Sequence, residues 1–162
     1  MIAINELITE EELNKKLKRL KKVKEYLLDD IKKKYPNGKP DKVFGYVYIV
    51  LNKKNGKMYV GQTTRSFEER YNGDFFKYNK NVSMDYFKYG REGFMVNKKF
   101  FECYDQYDLD YIENSLIKIF ETNKFSSGYN RTKGNKSYNN ITYKKNRYIV
   151  SKNNKRYYTE TK

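Results

Sequence analysis

The sequence predicts an α+β fold, and three observations carry that expectation. The stretch "GYVYIVLNKKNGKMYVGQT", residues 45–63, places two runs of β-formers on either side of an Asn-Gly pair, a strong hairpin signal. "NKKFFECYD" follows as a further strand candidate. Before, between and after these lie segments with helical capping signals, two of them long and with apolar residues at helical spacing. A chain of 162 residues holds one domain with a sizeable core plus attachments, but not two full domains.

Taken in order, "TEEELNKKLKRLKKVKEYLLDDIKKKY" reads as a helix opened by a Thr9/Glu12 capping box and stopped by Pro36. Leu13, Leu17, Leu20, Leu27 and Ile31 form its apolar stripe, so it is expected to rest on the domain; a phosphate-contacting arm is the other reading. "NGKPDK" is a short linker, giving segments 1–42, 43–135 and 136–162. With Asn55 and Gly56 at the centre of a type I′ turn, paired residue numbers in the hairpin sum to 111. Tyr48 then faces Thr63, Val50 faces Gly61 and Asn52 faces Tyr59. Tyr48 and Tyr59 share a face, and Gly61 leaves a gap between them for something to approach. "SFEERYNGDFF" is a short helix with a Ser66/Glu69 capping box, and "DLDYIENSLIKIFET" is a helix capped by Asp108. "SSGYNRTKGN" is a turn-rich exit, and "ITYKKNRYIVSKNNKRYYTET" suggests two or three basic strands.

Charge and composition narrow the function. The net charge of +15 points to a polyanionic partner, although a Lys/Asn/Tyr-rich composition can also follow from AT-rich coding. Residues 1–40 carry eleven Lys/Arg against seven Asp/Glu, residues 41–130 fourteen against twelve, and residues 131–162 ten against one. The basic excess therefore lies in the flanks. A single cysteine, Cys103, excludes an internal disulfide and a multi-Cys zinc site. The absence of histidine excludes His-dependent nucleases, His-ligated zinc hydrolases and Ser-His triads. With no membrane-length apolar run and no signal-peptide pattern, the chain is expected to be soluble and cytoplasmic.

Two charges stand inside apolar helix faces. Arg70 follows Phe67 by three residues, and Glu113 falls among Leu109, Ile112, Leu116, Ile117 and Phe120. Unpaired buried charge is costly. Either the two pair with each other, or they line a pocket where arginine meets phosphate and glutamate holds a divalent cation.

Together these residues resemble the GIY-YIG nuclease family. Its first triplet corresponds to "YVY" (Tyr46–Tyr48, with the glycine displaced to Gly45) and its second to "YVG" (Tyr59–Gly61). The likeness continues through "GQT", Arg70, Glu113 and "GYNRTKGN" with Asn130, in the family's order. The resemblance implies a small three-stranded antiparallel sheet flanked by helices, here with an N-terminal helix and a basic β-rich tail.

It also implies a single-metal phosphodiesterase. Glu113 would hold Mg²⁺ or Mn²⁺, Arg70 would donate to a nonbridging oxygen, and Tyr48 or Tyr59 would orient or deprotonate the attacking water. Nearby cations such as Lys57 would favour phenolate over a phenol of pKa about 10. Asn130 would fix a tyrosine or the phosphate. Where many members place a histidine four residues after the arginine, this chain has Asp74, which reads as a base, a metal ligand or a solvated helix-end residue. Tyr46, Lys57, Gly61, Gln62, Arg131 and Lys133 are expected to line the substrate. Arg147, Lys155 and Arg156, among the tail's tyrosines, would either add phosphate contacts or form a solvated extension. The partner expected is double-stranded DNA. A non-catalytic nucleic-acid-binding module and an RNA or repair-junction nuclease are the alternatives.

Overall fold

The computed structural model describes residues 7–71, 75–130, 141–144 and 147–150. Helix α1 (Glu10–Lys34) starts where the capping box predicts: Thr9 Oγ1 accepts the Glu12 amide at 3.0 Å, and Glu12 Oε1 accepts the Thr9 amide at 2.8 Å. It ends at Tyr35, one residue before Pro36, whose ring disfavours helical geometry in its predecessor. Leu20, Leu27 and Ile31 are buried in the main core, with Leu13, Leu17 and Val23 against its rim. Polar ties reinforce this docking. Arg19 donates to the Ile119 carbonyl at 3.1 Å, and the Lys34 ammonium sits 2.9 Å from Asp105 and 2.7 Å from Asp108.

Strands β1 (Gly45–Asn52), β2 (Met58–Thr63) and β3 (Phe94–Cys103) form one antiparallel sheet in the order β2-β1-β3, as the family resemblance implies. The hairpin differs from expectation by two residues. Tyr48 pairs with Gly61 and Val50 with Tyr59, so paired numbers sum to 109. The connection is a four-residue loop closed by the Gly56 amide on the Asn52 carbonyl at 2.8 Å. Only Gly56 takes a positive φ there, at 80°, so the type I′ turn is absent. The Asn52 side chain accounts for the change: its Oδ1 accepts the amides of Lys54 at 2.8 Å and Asn55 at 3.3 Å, tightening the chain earlier than the Asn-Gly pair does. A two-residue shift preserves side-chain parity, so Tyr48 and Tyr59 still share a face.

Short helices α2 (Phe67–Tyr71) and α3 (Phe75–Tyr78) and the longer α4 (Lys80–Tyr89) follow β2. Ser66 and Glu69 form the expected capping box. Helix α4 is absent from the sequence reading; Asn79 caps it by accepting the Asn81 and Val82 amides. Helix α5 (Gln106–Phe120) begins three residues earlier than expected, because Asp105 rather than Asp108 is its cap and accepts the Asp108 amide at 2.8 Å. Asp108 lies inside the first turn, bonded to Lys34, the Tyr35 hydroxyl and the Tyr104 amide. Strands β4 (Ile141–Lys144) and β5 (Arg147–Val150) pair antiparallel, as two of the two or three strands expected in the tail.

The sheet has two differently built faces. Val47, Ile49, Leu51, Met58 and Val60 meet α1 and the Leu109/Ile112/Leu116 stripe of α5. Tyr48, Val50 and Tyr59 point the other way, against Phe67, Phe75, Phe76, Val82, Phe94 and Tyr129. This second core is largely aromatic.

Candidate active site

Strand alternation and a glycine build the tyrosine face. Gly61 stands directly across from Tyr48, and a Cβ there would lie 2.4 Å from both Cζ and the hydroxyl oxygen of that ring. The gap anticipated at Gly61 is thus filled by Tyr48 itself. Phe67 meets the ring edge-on with centroids 5.1 Å apart, and Tyr59 lies 6.2 Å away at a shallow tilt. Tyr48 is completely buried, whereas Tyr59 is half-buried and rests on Phe75 at 5.4 Å. Of the two side chains, Tyr59 is the one that keeps exposed surface.

Asn130 reaches the same strand from the far end of the sequence. Strand β2 is a sheet edge, and the chain after α5 lies beside it. The Met58 amide donates to the Ser127 carbonyl, and the Met58 carbonyl accepts from Tyr129. Asn130 then completes the edge with its side chain. Its Oδ1 accepts the Val60 amide at 3.0 Å, and its Nδ2 donates to the Val60 carbonyl at 2.9 Å. The carboxamide substitutes for a strand neighbour at the residue between Tyr59 and Gly61. Gly128 makes this path feasible, because a Cβ there would fall 2.1 Å from the Thr122 carbonyl oxygen.

Glu113 is approached from the opposite face of β2. Gln62, next to Gly61 but pointing towards α5, donates through Nε2 to Glu113 Oε1 at 2.7 Å and to Asp110 Oδ1 at 3.0 Å. Gln106 Nε2 donates to Gln62 Oε1 at 2.8 Å and to Asp110 Oδ1 at 2.9 Å. Asp110 is 1% exposed, and burial pushes its carboxyl above the usual range despite these two donors. Sequence reasoning passed over Asp110 and Gln106, although Asp110 is one turn before Glu113 on the same helix.

The remaining expected residues divide into two groups. The Lys57 ammonium stacks over Phe125 at 4.3 Å and faces Tyr129 at 5.9 Å. Tyr46 lies under the Lys99 ammonium at 5.2 Å, because β3 bulges opposite Tyr48 and brings Lys98 and Lys99 round to this side. Lys98 pairs with Glu68 of α2. No sequence signal marks that bulge. Arg70 lies on α2 and Arg147 on β5; Asp74, Arg131, Lys133, Lys155 and Arg156 lie outside the described residues.

With this geometry in place, comparison with known families decides the relationship. The family model of the GIY-YIG catalytic domain matches residues 44–130, more than half of the chain. The chain belongs to the GIY-YIG family. Comparison with curated proteins and with solved structures gives no match. Membership implies a nuclease, a phosphodiester hydrolase acting on nucleic acid, from a family that generally depends on divalent metal. No helix among the described residues is long and apolar enough to cross a membrane.

The side chains present suit such a cation. Among the described residues no three or more His, Cys, Asp or Glu side chains are grouped so that they could hold a metal ion, so the protein offers no closed metal cage there. The half-buried Glu113 carboxylate is a hard oxygen donor, of the kind that hydrated divalent cations take singly or in pairs alongside substrate phosphate.

Proposed function

We propose that this GIY-YIG protein is a Mg²⁺- or Mn²⁺-dependent DNA endonuclease that hydrolyses phosphodiesters by in-line attack of a water held at Tyr59. The observation that carries this reading is the interlock of Tyr48, Gly61 and Tyr59 on one face of β1 and β2, fixed from outside by Asn130. A binding module has no need of a phenol packed so closely against a strand backbone.

Tyr48 supports the position of Tyr59 from below, while Tyr59 presents its hydroxyl to the attacking water as hydrogen-bond acceptor. Arg70 donates to a nonbridging phosphate oxygen as charge develops in the transition state. Asn130 acts one step back as a positioning residue, holding Val60 and hence the phenol beside it. Glu113 would hold the cation, which supplies neutralising charge at the scissile phosphate and leaving oxygen. Asp74 takes the place of the histidine common in the family and either assists water activation or faces solvent.

Affinity comes from the flanks. Lys15, Lys18, Lys21 and Lys22 are exposed on α1, away from its apolar stripe, and the tail of residues 136–162 adds eight basic residues against one acidic. Their attraction for phosphate is independent of sequence. Segments 1–42, 43–135 and 136–162 would then serve as cationic helix, nuclease domain and DNA-binding extension.

Plasmid incubated with Mg²⁺, with and without chelator, tests the reading directly. Parent protein should nick or linearise plasmid only with metal, and Glu113→Gln should bind DNA within a few-fold of parent without cutting. Equal cutting by Glu113→Gln would remove the metal assignment. Binding without cutting by the parent would establish the binding-module reading instead.

A further inference from the structure

The geometry points to Gln62 as a positioning residue for Glu113, locked in one amide orientation by Asp110 and Gln106. The inference rests on the metal-holding role proposed for Glu113. Gln62 had been expected to touch substrate, yet both faces of its carboxamide are engaged within the protein. Its Nε2 donates to two carboxylate oxygens, Glu113 Oε1 at 2.7 Å and Asp110 Oδ1 at 3.0 Å. Its Oε1 accepts from Gln106 Nε2 at 2.8 Å.

This arrangement has one sense only. Rotating the Gln62 amide by half a turn would set its oxygen against two carboxylate oxygens and its NH₂ against the NH₂ of Gln106. Every contact would then become donor to donor or acceptor to acceptor. Gln106 also bonds Asp110 Oδ1 at 2.9 Å, closing a ring of three side chains around that atom.

Cohesion alone does not explain the network. Strand β2 already meets α5 through Met58, Val60, Leu109, Ile112 and Leu116, all completely buried. Replacing buried ionic groups by apolar ones of similar volume is often neutral or stabilising. Here a carboxylate 1% exposed is retained, and its Oδ2 is buried with no hydrogen-bond partner among the described residues. What the network accomplishes is to fix one oxygen of Glu113 relative to β2, the strand that carries Tyr59 and Gly61. The carboxylate and the phenol are thereby referred to one rigid element. Outer partners of this kind typically change metal affinity or activity about 10–100-fold when removed.

The test uses the full chain and the nearly isosteric Gln62→Met. Mn²⁺ affinity is read by electron paramagnetic resonance, and cleavage is followed under single turnover against Mg²⁺ concentration. The variant should bind Mn²⁺ about 10–100-fold more weakly. It should require correspondingly more Mg²⁺, recover most of its maximal rate at saturating Mg²⁺, and keep the parent's DNA affinity. Gln106→Leu, one hydrogen bond further out, should fall between. A Gln62→Met protein with the parent's Mn²⁺ affinity and Mg²⁺ dependence overturns the inference, while the nuclease reading survives. A parent that neither binds Mn²⁺ nor cuts sinks both.

Should Gln62→Met fail to fold, ¹⁵N spectra of the parent decide. The two Gln62 side-chain amide protons should be well separated and slow to exchange, and should broaden with substoichiometric Mn²⁺, an effect lost in Glu113→Gln. Degenerate, rapidly exchanging protons that ignore Mn²⁺ would refute the positioning role.

Discussion

Replacing Gly61 by alanine isolates the contact on which the tyrosine face depends. The added Cβ would lie 2.4 Å from Cζ and from the hydroxyl oxygen of Tyr48, well inside any carbon contact distance. The ring cannot easily retreat: Phe67 closes one side at 5.1 Å, Phe75 stands at 6.3 Å, and the side chain has no exposed surface. Overpacking a filled core costs about 1–3 kcal/mol. Against this, alanine restricts the unfolded chain and returns about 0.4–1 kcal/mol where its backbone conformation is allowed, as in a strand. The net expectation is a loss of about 1–2 kcal/mol, read as a lower urea midpoint at unchanged m-value. Tyr48→Leu shortens the side chain facing Gly61, so Gly61→Ala should cost less in that background. A double-mutant cycle should give a coupling of about 0.5–3 kcal/mol in the relieving direction. Cleavage by Gly61→Ala should also fall, because displacing Tyr48 tilts Tyr59. Full parental stability with unshifted Tyr48 ring resonances, or a cycle with zero coupling, would refute the interlock.

Other perturbations probe separate parts of the structure. Lys34→Met removes the cation 2.7 Å from Asp108, a carboxylate 1% exposed, and should destabilise by about 3 kcal/mol in denaturant titrations. Burial, helped by the Asp108 and Asp105 carboxylates, pushes the Cys103 thiol far above its ordinary range. Above pH of about 8.5 the unfolded thiol loses its proton while the folded one keeps it, so stability should fall by up to about 1.4 kcal/mol per pH unit. Cys103→Ala should remove that component of the slope, as seen by denaturation at pH 8 and 9.5. Tyr59→Phe and Arg70→Ala should slow single-turnover cleavage more than they weaken DNA binding; unchanged rates would take either residue out of the site. Deleting residues 136–162 should flatten the salt dependence of DNA binding by about one counterion per lost phosphate contact. Saturating truncated protein should still cut.

What the sequence determined by itself was fixed within a few residues, although the equally local Asn52 turn, which draws the hairpin loop one residue back from the Asn-Gly pair, competed with the turn expected there. The capping boxes at Thr9/Glu12 and Ser66/Glu69 form between a residue and its third neighbour, so their spacing suffices to place helix starts. The Leu109/Ile112/Leu116/Ile117/Phe120 stripe follows from helix period, and the shared face of Tyr48 and Tyr59 from strand parity. The order of motif residues was enough to indicate the family that the match over residues 44–130 then showed.

Tertiary structure decided the rest, wherever two distant surfaces had to be docked before a polar group could find its partner. Asp105 displaced Asp108 as the α5 cap once Lys34 and Tyr35, 74 and 73 residues away, claimed the latter. Asn130 meets Val60 across 70 residues, and Gln62 meets Asp110 and Glu113 across 48 and 51. A carboxamide has the same local propensity whether it faces solvent, a phosphate or a strand edge. Its partner is chosen by which buried donors and acceptors the assembled sheet and helices leave to be satisfied.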